Sequence, residues 1–245
     1  MEKQMNILKN LFLLAGLAVV LNLKAEQVLV ESFNNVSNLA ANGWVLDNRS
    51  NMPSSTTWAQ GDGTLFAAQA GNANAYIIND TSTGVDVVCN WLIMPDIGFI
   101  DQLSFYTRAQ GLANEVTRMF VMYSPTGAIN TGDCVSVPPE KTSQGVSAFG
   151  DYQVLMSIND TQAANAYPQD WTQFTVDVNG GGRVAFLYYM ETGVPNFNSG
   201  TIAIDTITRS TLTSTSVPSL NTYTLAALIF LMFFVGVISK KGGVK

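Results

Sequence analysis

The sequence predicts an all-β fold, a jelly-roll β-sandwich, and three observations predict it. Between residues 26 and 209 the apolar residues recur with period two rather than 3.6. The apolar runs are short, rich in β-branched and aromatic residues, and bounded by Gly, Pro, Asn or Asp. No stretch in this interval carries the stripe of an amphipathic helix. Many short strands with turn signals between them suit two packed sheets.

Taken in order, residues 27–30 (QVLV) and 91–94 (WLIM) open the series, followed by 102–107 (QLSFYT) and 118–123 (RMFVMY). Residues 152–158 (YQVLMSI) and 201–208 (TIAIDTIT) read in the same way. The cleanest alternation is in residues 172–178, where Phe174, Val176 and Val178 share one face. Residues 183–190 (RVAFLYYM) form a continuous apolar run, expected of a strand covered on both faces. Between these last two, Gly180-Gly181-Gly182 reads as a turn rather than a phosphate loop.

The ends have a different composition. Lys3 and Lys9 precede an apolar core at residues 11–23, and Leu23-Lys24-Ala25 offers a cleavage site small only at its last position. Residues 1–25 therefore read as a secretory signal peptide, with an uncleaved anchor as the alternative. At the other end, residues 220–239 are apolar and uncharged and stop at Lys240 and Lys241. About 20 residues cross a bilayer, so this reads as a single C-terminal transmembrane helix with a cytoplasmic tail. Residues 210–216 (STLTSTS) make a small polar linker between the domain at 26–209 and the anchor at 217–245.

Between residues 26 and 216 there are six basic residues against 17 acidic ones, a balance of −11. Such a surface repels phosphate backbones, which excludes nucleic acid as a partner. The mean hydropathy of +0.18 reflects the two end segments rather than a membrane-embedded body. Two cysteines, Cys89 and Cys134, stand in a chain read as exported. They pair as a disulfide or remain as two buried thiols. The chain has no histidine, which removes Ser-His and Cys-His catalysis and His-ligated zinc. Of four tryptophans, Trp91 and Trp171 begin strand-like runs. Trp58, beside Gln60-Gly61-Asp62, is the one candidate for an exposed sugar-stacking ring, set against the alternative that it packs in the core or within its loop.

A family resemblance rests on motifs in a fixed order. Asn42-Gly43-Trp44, Trp58-Ala59-Gln60-Gly61-Asp62, residues 66–71 (FAAQAG), Ala75-Tyr76-Ile77 and residues 90–95 (NWLIMP) come first. Residues 103–108 (LSFYTR), Tyr167-Pro168, residues 171–176 (WTQFTV), Arg183-Val184-Ala185-Phe186 and Ile204-Asp205-Thr206-Ile207 follow. In this the chain resembles choice-of-anchor J domain proteins, which are similar to the cleaved-adhesin jelly-roll modules of bacterial surface proteins. Val217-Pro218-Ser219-Leu220 resembles the start of IPTL-type tails, which are similar to PEP-CTERM sorting signals. Asn221-Thr222-Tyr223 and the Lys pair depart from the usual pattern.

The resemblance implies an exported, membrane-anchored protein of the bacterial surface, processed by a protease of the exosortase type. It also implies a non-catalytic adhesion or binding module of the envelope or extracellular matrix, with extracellular polysaccharide or a surface protein as partner. By the same resemblance Glu31, Asn34 and Asp205 are ligands of a structural calcium ion, joining the two ends of the domain. The alternative is that Glu31 and Asp205 only bind loop amides. Two other functions stay open: a structural matrix protein without a discrete ligand, and a glycan-acting hydrolase working through two carboxylates.

Overall fold

The computed structural model describes residues 26–50, 57–80, 87–132, 134, 149–191 and 200–211. The expected signal peptide, the expected sorting motif Val217-Pro218-Ser219-Leu220 and the expected C-terminal anchor lie outside them. By its contacts the chain sets apart one unit, Ala25–Thr211. Among the described residues no helix is long and apolar enough to cross a membrane.

The strands are β1 (Glu26–Glu31), β2 (Val45–Asn48), β3 (Ala59–Gln60), β4 (Ile77–Asn79), β5 (Val87–Ile93) and β6 (Ile100–Ala109). They continue as β7 (Met119–Ser124), β8 (Gln153–Ile158), β9 (Thr172–Gly180), β10 (Arg183–Glu191) and β11 (Ile202–Thr211). One sheet runs β3-β4-β11-β6-β9, with β1 also on β11; the other runs β2-β5-β10-β7-β8. Every pairing is antiparallel. The sheets pack face to face as a β-sandwich. Leu103, Phe105, Val176, Ile202 and Ile204 of the first share a core with Val88, Leu92, Val121, Val184 and Phe186 of the second. Phe105 and Phe186 meet edge to face across the layers at 4.9 Å.

All eight apolar runs of the sequence are strands, with ends shifted by ladder partners rather than by local composition. β5 begins at Val87 because Val87 and Val88 pair with Glu191 and Met190. β11 continues through Ser210 and Thr211, which pair with Gln27 and Glu26. The first two residues of the expected linker are therefore strand. β2, β3 and β4 have no counterpart in the sequence reading, being two to four residues long. Gly181 and Gly182 turn the chain from β9 to β10. A side chain at Gly182, at φ 112°, would collide with the Ser124 carbonyl.

β10 explains its unbroken apolar run. Val184, Phe186, Tyr188 and Met190 face the sandwich, while Ala185, Leu187 and Tyr189 face the other way. That outer face is a second core. Trp91, Phe120, Met122, Leu187 and Tyr189 are covered there by Cys134, Phe149 and Tyr152, from the long connection between β7 and β8. A disulfide joins Cys134 to Cys89 on β5, with their Cα atoms 6.4 Å apart. The Trp91 indole N–H donates to Cys89 Sγ at 3.2 Å. Tyr152 lies 5.0 Å from Trp91, and burial pushes its phenol up to about 12.

Candidate functional site

β11 has β6 along one side, but its other side is shared. Ile202–Ile204 pair with β4, and Ile207–Thr211 pair with β1. Between the two lies a bulge at Asp205 and Thr206, with Thr206 at φ 48°. One extra residue there restores the inward face, so that Ile207 rejoins Ile202 and Ile204 in the core.

Asp205 is fully buried at this bulge. Its Oδ2 accepts the backbone N–H groups of Gln69 at 2.9 Å and Ala70 at 3.1 Å. Its Oδ1 accepts that of Thr206 at 2.6 Å. Thr206 Oγ1 donates to Gln69 Oε1 at 2.8 Å. Burial raises the Asp205 carboxyl above the ordinary aspartate range, and the three amides oppose that rise. No positive side chain contributes.

Glu31, at the end of β1, accepts the N–H groups of Ser32 at 2.9 Å and Phe33 at 2.7 Å through Oε1. This holds Phe33 at φ 49° and seats its ring edge-on to Trp44 in the core at 5.8 Å. Asn34 donates through Nδ2 to Ser32 Oγ at 2.8 Å, and its Oδ1 lies 3.6 Å from where a Cβ at Gly71 would stand. Glu31 ends the strand beside β11, Asn34 flanks Gly71, and Asp205 holds the amides just before Gly71. Asn34 and Asp205 thus border the loop at Gly71, while Glu31 binds the amides of its own segment. Among the described residues no three His, Cys, Asp or Glu side chains form a metal-binding group.

Gln60 completes this region; the sequence placed it in the motif at residues 58–62 but gave it no role. Its Nε2 donates to the carbonyls of Phe33 at 2.9 Å and Asn74 at 2.5 Å, and its Oε1 accepts Val36 N–H at 2.9 Å. It joins the segment after β1 to the loop before β4. A polar residue in a two-residue strand carries no periodic signal that could have marked it.

Trp58 corrects the sequence reading. It is 2 % exposed, belongs to the main core, and its indole N–H reaches the Asn90 carbonyl at 3.3 Å. A ring enclosed on both faces cannot stack on a sugar. The half-exposed aromatic surface lies on the outer face of the six-stranded sheet. Phe66 stacks on Tyr76 at 5.0 Å, and Trp171 meets Phe66 and Tyr76 edge-on at 5.9 and 5.7 Å. The Arg108 guanidinium sits 4.2 Å from the Phe66 ring centre. Trp171 is fixed by its indole N–H on the Ala67 carbonyl at 2.8 Å. Tyr76 is buried beneath, its hydroxyl donating to the Asp62 carbonyl at 2.7 Å. Burial raises its phenol above the ordinary range.

No family model and no curated protein matches the chain. Among solved structures it is similar to the K2 cleaved adhesin domain of Lys-gingipain, at 18% identity and a TM-score of 0.47. That match covers 76% of this chain and 100% of that one. The K1 cleaved adhesin domain of Lys-gingipain from Porphyromonas gingivalis W83 is matched at 16% identity and a TM-score of 0.43. The shares covered are 75% and 97%. A third similar structure is TmCBM61 in complex with beta-1,4-galactotriose, at 7% identity and a TM-score of 0.37, with 73% and 97% covered. These are likenesses of chain layout at TM-scores below 0.5, and they assign neither ligand nor activity.

Proposed function

We propose that this protein is a non-catalytic binding module that takes extracellular polysaccharide on the outer face of its six-stranded sheet. The observation that carries the reading is the partly exposed Trp171, held edge-on against Phe66 and Tyr76 beside Arg108. An aromatic face meets the C–H side of a pyranose ring while a guanidinium donates to its hydroxyls. Phe66 and Trp171 are braced by buried Tyr76, so little side-chain freedom is lost on binding. A chain without histidine lacks the commonest acid–base residue, which favours binding over catalysis.

The module belongs, in this reading, to a jelly-roll surface protein of the choice-of-anchor J type. It is exported by residues 1–25 and held to the envelope through residues 217–245, with an exosortase-type protease acting at Val217-Pro218-Ser219-Leu220. The test is retention of the full chain, in mild detergent, on gels containing bacterial exopolysaccharides. Trp171→Ala is expected to weaken retention about 30-fold, as loss of a central aromatic contact does. Absence of retention on every polysaccharide, or an unchanged Trp171→Ala protein, would leave the structural-protein alternative.

A structural calcium ion at Glu31, Asn34 and Asp205 is part of the same proposal. Their donors are all oxygens, the set a hard cation takes. A buried carboxylate without a positive neighbour is also what a cation would relieve. The second lone pairs of the carboxylate oxygens and Asn34 Oδ1 would hold it. It would tie the first strand, the last strand and the loop at Gly71 together. A calcium-dependent rise in the thermal midpoint, lost in Asp205→Ala, is the expected result; an unchanged midpoint leaves the amide-binding role alone.

A further inference from the structure

Between residues 26 and 216 the chain holds five arginines, and the fold spends most of them internally. Arg118 donates to the carbonyls of Tyr189 and Asp160, Arg183 to those of Gly127, Gly43 and Met94, and Arg209 to that of Ile97. Arg49 pairs with Asp47 at 2.8 Å, the one ion pair among the described residues. Arg108 differs, because only one edge of its guanidinium is used. Its Nε–H donates to the Ala109 carbonyl at 3.1 Å, and an Nη2–H on the same edge donates to the Gln169 carbonyl at 2.5 Å.

A guanidinium carries five N–H groups in a fixed fork. The end edge of Arg108, one N–H of Nη1 beside the second N–H of Nη2, has no partner among the described residues. Arg108 is half-buried, and Nη1 reaches solvent. One face of the group lies over Phe66, 4.2 Å from the ring centre. Two carbonyls and a ring thus fix the direction in which the unused pair points. The nearby carboxylates are turned elsewhere. Asp62 Oδ1 accepts the N–H and the hydroxyl of Thr64 at 2.8 and 2.7 Å, and these bonds hold its carboxyl below the ordinary aspartate range. Asp170 is exposed, and neither acid is ion-paired with Arg108. Trp171 adjoins the fork: Thr107 pairs with Thr172, so Arg108 and Trp171 are the next residues on neighbouring segments. Phe66 touches both, its ring centre 5.9 Å from that of Trp171.

We propose, resting on the polysaccharide-binding reading above, that the polysaccharide is acidic and that the end edge of Arg108 receives a uronate carboxylate while the sugar ring lies on Trp171. Two parallel N–H groups match the two oxygens of a carboxylate, whereas a sugar hydroxyl engages only one of them. In a uronate the carboxylate stands on the carbon outside the pyranose ring. One sugar can therefore turn its C–H face to the indole and its charge to the guanidinium beside it. With a balance of −11 the domain repels polyanions at long range. Retention on an acidic polymer must then come from a local contact rather than from bulk charge.

The experiment runs the full chain, in mild detergent and without added calcium, through gels containing polygalacturonate or its fully methyl-esterified form. The two polymers share a backbone, and only the first offers carboxylates. The expected result is a dissociation constant about tenfold lower on polygalacturonate, a preference that Arg108→Gln abolishes. Arg108→Lys, which keeps the charge without the fork, is expected to restore only part of it. In the parent protein free galacturonate should displace the polymer and its methyl ester should not, which carries the test if the Arg108 variants do not fold. Equal retention on the two polymers, lost in Trp171→Ala, overturns the carboxylate contact and leaves the aromatic reading standing. Absence of retention on either polymer, with retention on a neutral exopolysaccharide, does the same. A preference that survives Arg108→Gln overturns the role of the fork, and a preference for dextran sulfate over polygalacturonate overturns the carboxylate in favour of a sulfate ester.

Discussion

Asp205 holds Gln69 across 136 residues of sequence, through a 2.9 Å hydrogen bond from the Gln69 N–H to Oδ2. The bond comes from the stretch of β11 between its β4-paired and β1-paired parts. Where neither strand supplies donors, a loop does, and the acceptor is a side chain.

Asp205→Ala would leave the amides of Gln69, Ala70 and Thr206 without their acceptor in a buried place. The expected loss is about 3 kcal/mol in denaturant unfolding, the cost of several unsatisfied buried donors. Asp205→Asn, which keeps one carbonyl oxygen, is expected to lose less than half of that. A loss below about 0.5 kcal/mol in the alanine variant would contradict the clamp.

Stability in chelator should fall as the solution becomes more alkaline through the acid range. Asp205 and Glu115 both have folded-state pKa values raised by burial, from 3.8 and 4.5. The folded state therefore holds its protons more tightly than the unfolded chain. The resulting stability is fully present below those starting values. It is lost as pH rises through the raised folded values. Glu115→Gln should flatten part of this fall, and calcium bound at Asp205 should oppose it in the parent protein. Unfolding midpoints measured from pH 3 to pH 8 would show a parallel Glu115→Gln curve if the assignment is wrong.

The Cys89–Cys134 bridge closes a separation of 45 residues. Loop-closure entropy for that length corresponds to about 4 kcal/mol, and measured values usually lie between about 2 and 4. Its reduction should lower the thermal midpoint by several degrees. It should also change the emission of Trp91, whose indole N–H rests on Cys89 Sγ. An unchanged midpoint with both thiols titratable would show that the second core stands without it.

Trp58→Ala should behave as a core truncation, costing about 3 to 5 kcal/mol. Trp171→Ala, at a half-exposed site, should cost far less stability while weakening polysaccharide retention. Parallel unfolding curves for the two variants would contradict this division.

The period-two pattern was enough to find the eight longer strands, because alternation and double-sided apolar runs follow directly from facing one core or two. The short strands β2, β3 and β4 escaped because two to four residues do not make a period. Trp58 misled because its neighbours Gln60, Gly61 and Asp62 are polar. Gln60 spends its polarity on the carbonyls of Phe33 and Asn74 rather than on solvent. Glu115 was invisible for a related reason: a carboxylate in a polar loop looks solvated until the fold buries it. Glu31, Asn34 and Asp205 were reached by resemblance; the structure sets Asn34 and Asp205 beside the loop at Gly71 and Glu31 on the amides of Ser32 and Phe33.

The placement of β11 also has a mechanical consequence. Thr211 ends a strand bonded to β6 on one side and to β4 and β1 on the other. A pull applied at Thr211 along the strand loads these ladders together in shear, so many bonds must fail at once. Peeling an edge strand such as β8 would break its bonds one after another. A load-bearing attachment at this end of the fold would therefore meet the stiffest direction the sandwich offers.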